Sequence, residues 1–419
     1  MRRLMILLAA FILVIGGAAG AQTAETRSAA STAAWREDLQ SLMALIDRQH
    51  PDPYRYTPQV EFAALADDLD AGIPQFSDAQ IVVRMMEIVS LLHDGHSHLF
   101  PPIQTGMEFT LYPLVFYPFS DGVYLIDAAP EYGERIGARL VQIGGTPVED
   151  VLAQVARLVP RDNDSGGRVL LPANLATAEV LLGLGVIDDA DQPDFLLELP
   201  DRSTETLNPA RIAAADFLAR FPQHYRLPND ADVLSRARLN ERLWWTPLDD
   251  GRALYVQYNE TQRLGTTLDD LEAALGTPEM ARLILDLRYN PGGDIGTARA
   301  FRTLIAEDAR FQQPGSLIVL TARNTFSAAV VFALWLEHDA QPVFIGEPTG
   351  GRPLMYENNR VTTLPNSGLD VYIATRARSD VEPTDTREAI EPEILIPLSA
   401  ADYFEHRDPV LEAALAYMP

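Results

Sequence analysis

The strongest constraint on the fold lies in the last third of the chain, where short, nearly pure apolar runs recur at a spacing near thirty residues. Leu283-Ile284-Leu285-Asp286-Leu287, Leu317-Ile318-Val319-Leu320 and Val343-Phe344-Ile345 read as strands, with helices expected over residues 297–305 and 327–337 between them. A strand apolar on both faces has to be covered on both, and a parallel neighbour is reached only through a crossover. The pattern predicts right-handed βαβ units in an α/β protein. A hairpin should follow, with Pro365-Asn366-Ser367-Gly368 as its turn between residues 361–364 and 369–374.

The rest of the chain has a different rhythm. Arg2 and Arg3, the apolar run 4–15 and Ala19-Gly20-Ala21 before Gln22 have the layout of a cleavable secretory signal over residues 1–21. The run is shorter than the roughly 20 residues a spanning helix needs. The expectation is an exported mature chain, periplasmic or secreted, without stable membrane insertion. Residues 22–33, rich in Ala, Thr and Ser, read as a disordered lead-in. Helices are expected from Trp35, from Thr57-Pro58 and from Ser77, where Ser77 and Gln80 have capping-box spacing. They form an N-terminal helical domain, 34–105. Residues 106–240 form a β-rich region, in which 137–148 resembles the strand and turn of a PDZ domain, and 241–419 form the core.

Composition excludes more than it suggests. All 33 basic residues are Arg, against 59 acidic ones, and a net charge of −26 repels rather than gathers nucleic acid. Without Lys there is no Walker loop, no Schiff-base amine and no Ser-Lys pair. Without Cys there is no disulfide, thiolate nucleophile or thiolate metal site. No cofactor is expected.

Ligands of open α/β sheets bind beyond the carboxyl ends of the strands, and two loops leave such ends. In Arg288-Tyr289-Asn290-Pro291-Gly292-Gly293-Asp294 the adjacent glycines offer backbone N–H groups to an oxyanion, or simply make a turn. In Arg323-Asn324-Thr325-Phe326-Ser327-Ala328-Ala329 a Ser opens an apolar helix, as nucleophile or as N-cap, with the Ala328 N–H beside it. His93, His96 and His98 are close enough in sequence to suggest a metal site, although HExxH and HxHxDH are both absent. Asp94 reads as a turn cap, Asp286 as the support of the Arg288 loop, and Trp244-Trp245 as core.

These segments together resemble a known family. Leu92-His93-Asp94-Gly95-His96-Ser97, the run from Leu285 to Gly293, Thr325-Phe326-Ser327-Ala328-Ala329, Gly346-Glu347-Pro348-Thr349-Gly350-Gly351 and the run from Glu388 to Ile394 look like the C-terminal processing (tail-specific) serine peptidases, in the broad group that includes the tricorn protease and the interphotoreceptor retinoid-binding proteins. The resemblance implies a crotonase-like βαβ catalytic core, often with a PDZ-like domain, and hydrolysis of peptide bonds near a C-terminus of a peptide or protein substrate. By the same resemblance Ser327 is the nucleophile, and Gly292 or Gly293 with Ala328 forms the oxyanion hole. The better-known bacterial members place a Lys base where this chain has Arg352, and Arg cannot be deprotonated at useful pH. Arg352 is instead a candidate for substrate binding, with the substrate's terminal carboxylate as its partner. The tricorn-like branch uses a His, matched by His96, with an orienting Glu for which Glu388 is the nearest match; its Ser before the His is Gly95 here. The other reading is a non-catalytic binding protein for a peptide or hydrophobic ligand on the same scaffold.

Overall fold

The computed structural model describes residues 27–102, 109–222, 224, 226–262, 264–265, 267–277, 280–378 and 385–418. The signal peptide expected over 1–21 and the first part of the lead-in lie outside these residues. Three helices come first: α1 (Ala29–Gln49), α2 (Gln59–Gly72) and α3 (Asp78–Ser90). α1 begins inside the expected lead-in because Ser28 caps it, its side chain accepting from the Ser31 amide. α3 begins at Ser77, where both bonds of the capping box with Gln80 are made.

The middle of the chain runs through β1 (His98–Leu99), β2 (Thr110–Leu111), β3 (Leu114–Phe119), β4 (Gly122–Ala128), β5 (Arg139–Ile143), β6 (Thr146–Pro147), α4 (Val148–Ala156), α5 (Asp164–Leu175), α6 (Ala178–Leu184), β7 (Phe195–Glu198), β8 (Thr204–Leu207), β9 (Ile212–Ala213) and α7 (Ala214–Arg220). Strands β3-β4-β5-β7-β8 make an antiparallel sheet in that order, with β6 paired to β5. Gly144 and Gly145, at φ 56° and 79°, make the tight β5–β6 turn.

The C-terminal part consists of β10 (Leu243–Leu248), β11 (Ala253–Tyr258), α8 (Thr267–Leu275), β12 (Arg282–Asp286), α9 (Ile295–Ala306), β13 (Leu317–Thr321), α10 (Ala328–Ala340), β14 (Val343–Gly346), β15 (Tyr356–Thr363), β16 (Asp370–Ala377), β17 (Ile394–Leu395), α11 (Ala400–Phe404) and α12 (Pro409–Ala416). Its six-stranded sheet has the order β10-β11-β12-β13-β14-β17. All pairs are parallel except β10 with β11, and β10 carries Pro247, as an edge strand can. One face is covered by α8, α9 and α10 through Leu271, Phe301 and Phe332, and the other by α12 through Val410 and Leu411.

This topology corrects the expectation of a crotonase-like βαβ spiral. Strands β10 to β14 lie side by side in sequence order in one open mixed sheet with an antiparallel edge, and the three other sheets among the described residues are antiparallel. Apolar runs separated by helices report burial and parallel neighbours, but they carry no information on whether successive units wind into a spiral.

The hairpin β15–β16 reaches back to the N-terminal helices. Its tip is fastened to α1 by the buried Asp38, which accepts from the backbone N–H groups of Asn366 (2.9 Å) and Ser367 (2.7 Å). Val371 and Ile373 share a core with Leu42, Ile46, Val82 and Met85, and β1 pairs with β16. The first and last thirds of the chain thus fold as one body around the segment that carries His96. Among the described residues no helix is long and apolar enough to cross a membrane.

Candidate active site

Ser327 stands where the β13–α10 connection enters the helix, with φ 53° and ψ −123°. A non-glycine residue there costs roughly 1–3 kcal/mol and persists only where its surroundings over-determine it. They do so here. The Phe326 N–H donates to Asn290 O (3.1 Å), the Thr325 hydroxyl to Leu287 O (2.9 Å), and the Gly350 N–H to Thr325 O (2.9 Å). The Ser327 side chain makes no capping bond, so the N-cap role left open by the sequence is not what it performs. Its Oγ lies instead 3.0 Å from His96 Nε2.

The three backbone groups expected beside it divide into two kinds. Gly292 already donates its N–H to Asn290 Oδ1 (2.9 Å). Its part is steric: at φ 103°, a Cβ there would lie 2.7 Å from Ser327 Cβ and 2.8 Å from the Ala328 nitrogen. The N–H groups of Gly293 and Ala328 have no acceptor among the described residues, and both residues line the cleft that Ser327 and His96 share. That cleft, about 700 Å³, has Glu357 and Arg376 on its hairpin wall, joined to each other by an ion pair.

His96 is held by side chains. Its ring stacks on Phe326 (centroids 4.7 Å apart), and its backbone N–H donates to Asp94 Oδ1 (2.9 Å). Nδ1 is buried without a hydrogen-bond partner among the described residues, 3.8 Å from Asp94 Oδ1, which is ion-pair range for an imidazolium. Asp94 also accepts from the Ser97 hydroxyl (2.5 Å) and faces His50 Nε2 at 3.5 Å. Burial pushes the Asp94 carboxyl up, but His50, the His96 charge and the Ser97 hydroxyl outweigh it and hold its pKa below the ordinary value. Burial lowers the pKa of neighbouring His98 to about 4, against the pull of Asp94 and with the help of His96, so it stays neutral near pH 7. A Cβ on Gly95 would lie 2.7 Å from the Phe326 ring that stacks on His96.

Two expected residues lie elsewhere. Arg352 is buried over the Tyr56 ring, donating to His93 O (3.2 Å) and Glu388 Oε2 (2.9 Å), and is not among the residues lining the cleft. Glu388, largely exposed, meets Arg352; no bond among the described residues joins it to His96. His93, His96 and His98 do not converge as metal ligands: among the described residues only Asp230, Asp232 and His406 come that close, and Arg236 already pairs with Asp230. Asp286 does hold the Arg288 loop, accepting from the Arg288 N–H (3.0 Å) and guanidinium (2.7 Å), with Asp408 on the guanidinium's other side at 2.7 Å.

Two carboxylates escaped the sequence reading. Asp94 read as a cap, and its place two residues before His96 was the signal that could have found it. Asp162 sits in an unremarkable polar loop, Arg161-Asp162-Asn163-Asp164, and no local signal points to it.

Across 93% of this chain and 99% of the other, the fold superposes on a point mutant of CPAF with a TM-score of 0.63 at 12% identity. Mature CPAF complexed with lactacystin gives 0.63 at 13% identity, over 92% and 98% of the two chains. The fold is that of CPAF. The mixed-sheet arrangement, and not a crotonase-like spiral, is thus matched over nearly the whole of both chains. A looser likeness, to the tricorn protease, has a TM-score of 0.43 at 13% identity over 92% of this chain and 36% of that one. No family model and no curated protein sequence matches the chain.

Proposed function

We propose that this chain is an exported serine peptidase that hydrolyses peptide bonds near the C-termini of peptides or proteins through an acyl-enzyme on Ser327. The observation that carries the reading is the 3.0 Å contact of His96 Nε2 with Ser327 Oγ, made across 231 positions of sequence. A Ser hydroxyl is a weak nucleophile until a neighbouring base takes its proton, and imidazole suits that task near neutral pH. As Oγ attacks the carbonyl carbon, its proton passes to Nε2. The oxyanion that forms is met by the N–H groups of Gly293 and Ala328, at the start of α10, where the helix dipole also favours negative charge. The imidazolium then gives the proton to the leaving amine, and water, activated by the same His96, releases the acyl group. Asp94, rather than Glu388, is the carboxylate placed to stabilise the imidazolium. Action near C-termini draws on the sequence resemblance, and export draws on the signal-like pattern of residues 1–21.

The test is fluorophosphonate labelling of the mature protein, read by intact mass, beside Ser327→Ala and His96→Ala. A single adduct on the wild type that is absent from both variants is expected. No adduct on the wild type, with C-terminal peptides present, would overturn the reading in favour of a binding protein.

A further inference from the structure

Asp162 is 2% exposed, in the short connection between α4 and α5. It spends both oxygens on backbone amides of two distant loops. Oδ1 accepts from the Gly95 N–H at 2.8 Å, and Oδ2 from the Arg352 N–H at 3.2 Å. Its neighbours tie the same loops together: the Asn163 amide donates to Thr349 O (3.0 Å) and the Ser165 hydroxyl to Pro348 O (2.8 Å). Gly166 lies so close to Gly350 that a Cβ would come within 2.2 Å of the Gly350 carbonyl oxygen. The Gly350 N–H in turn holds Thr325 O, two residues before Ser327. A segment from the middle of the chain thus clamps the loop that presents the base to the loop that presents the nucleophile.

We infer that Asp162 is a positioning residue for His96: its ionised carboxylate fixes the Gly95–His96 segment and favours the imidazolium that forms when His96 takes the Ser327 proton. The role rests on the peptidase reading, but the coupling between the two side chains does not. Among the described residues His96 has no hydrogen-bonded carboxylate of the kind that usually orients a catalytic imidazole, since Asp94 stands 3.8 Å from Nδ1. A second buried negative charge one residue from the base supplies field where the first supplies no bond.

The groups that bear on Asp162 are Asp94, His96 and Arg352, with Arg161 and Asp164 flanking it in sequence. Burial first, and then the Asp94 charge, push the Asp162 carboxyl up to about 6; His96, the Gly95 N–H and Arg352 pull it down. A carboxyl raised in this way favours the folded state when protonated, and that contribution is lost as pH rises through about 6. The ionised form therefore costs stability at neutral pH, which packing alone would not select.

The test follows the His96 imidazole and the Asp162 carboxyl by 13C NMR in the full chain, alongside the pH profile of kcat/KM. Asp162→Asn should destabilise the imidazolium, so that the His96 resonance changes at lower pH than in the wild type. The acid limb of kcat/KM should move the same way, with kcat down about tenfold and KM nearly unchanged. Asp164→Asn, which removes an exposed charge from the same loop, should leave His96 unmoved. An unaltered His96 titration and acid limb in Asp162→Asn would overturn the inference, even if the melting temperature fell. Should that variant fail to fold, the wild type decides. A shared inflection of the Asp162 and His96 resonances near pH 6 supports the coupling, and an Asp162 ionised down to pH 4 without one refutes it. Coupling in a protein that no fluorophosphonate labels would sink the peptidase reading and leave the coupling standing.

Discussion

Ser327 and His96 meet at 3.0 Å, yet the molecule holds them by different means. On the Ser327 side nearly everything is backbone: a left-handed φ, a glycine that admits no Cβ, carbonyls and amides of the β12 and β13 loops, and behind them the Asp286–Arg288–Asp408 cluster. On the His96 side nearly everything is side chain: the Phe326 ring, Asp94 and Asp162, reaching in from three parts of the chain. Backbone bonds fix position at the cost of local strain. Side-chain contacts fix it only while their protonation states last. The nucleophile's half should therefore respond to steric change and the base's half to charge and pH.

Gly292→Ala should break the nucleophile's half most severely. The added methyl meets Ser327 Cβ at 2.7 Å, so kcat should fall by about 10³. A variant that kept wild-type turnover would show that the close approach is dispensable. Asp94→Asn changes charge with little change of shape, and kcat should drop by about 10² at unchanged KM. If it lowered kcat and melting temperature only as a cavity would, the carboxylate would be structural.

Asp408→Asn probes the scaffold under the nucleophile without touching the cleft. Breaking a buried pair should cost about 3 kcal/mol in urea unfolding at pH 7, with turnover per folded molecule kept. Burial pushes Asp408 up, but the Arg288 charge and its bonds to Arg288 and Ser235 hold it at about 2. Its folded pKa lies below the ordinary 3.8, so its contribution is full above that value and lost as pH falls from about 4 towards 2. The variant's disadvantage should shrink in that window. The smallest effect is expected of Glu388→Gln, within about twofold in kcat/KM, because an exposed partner of Arg352 adds little. A loss comparable to that of Asp94→Asn would return the orienting role to Glu388.

The difference between the halves also separates what is legible in the sequence from what is not. The apolar run at 283–287 and the strand Arg282–Asp286 coincide to within a residue, as do Ser77 and its capping box, because both signals are local. The Asp286–Arg288 contact was legible for the same reason. The open mixed sheet was not, since the local pattern is common to several windings. Glu388 and Arg352 were placed by their spacing in a motif, and spacing does not say that they bind each other.

Sequence alone determined the apolar strands, the capped helices, the absence of any Lys or Cys chemistry, and the glycines and Ser327 around one strand-to-helix turn. These depend on residues within a few positions of one another. Only the tertiary structure decided that Ser327 faces His96 instead of capping α10, that Gly293 and not Gly292 keeps an N–H without an acceptor among the described residues, and that Asp94 and Asp162 stand by the imidazole. Those outcomes depend on which distant loops pack together. Packing is set by summed burial over whole elements, which no short stretch of sequence contains.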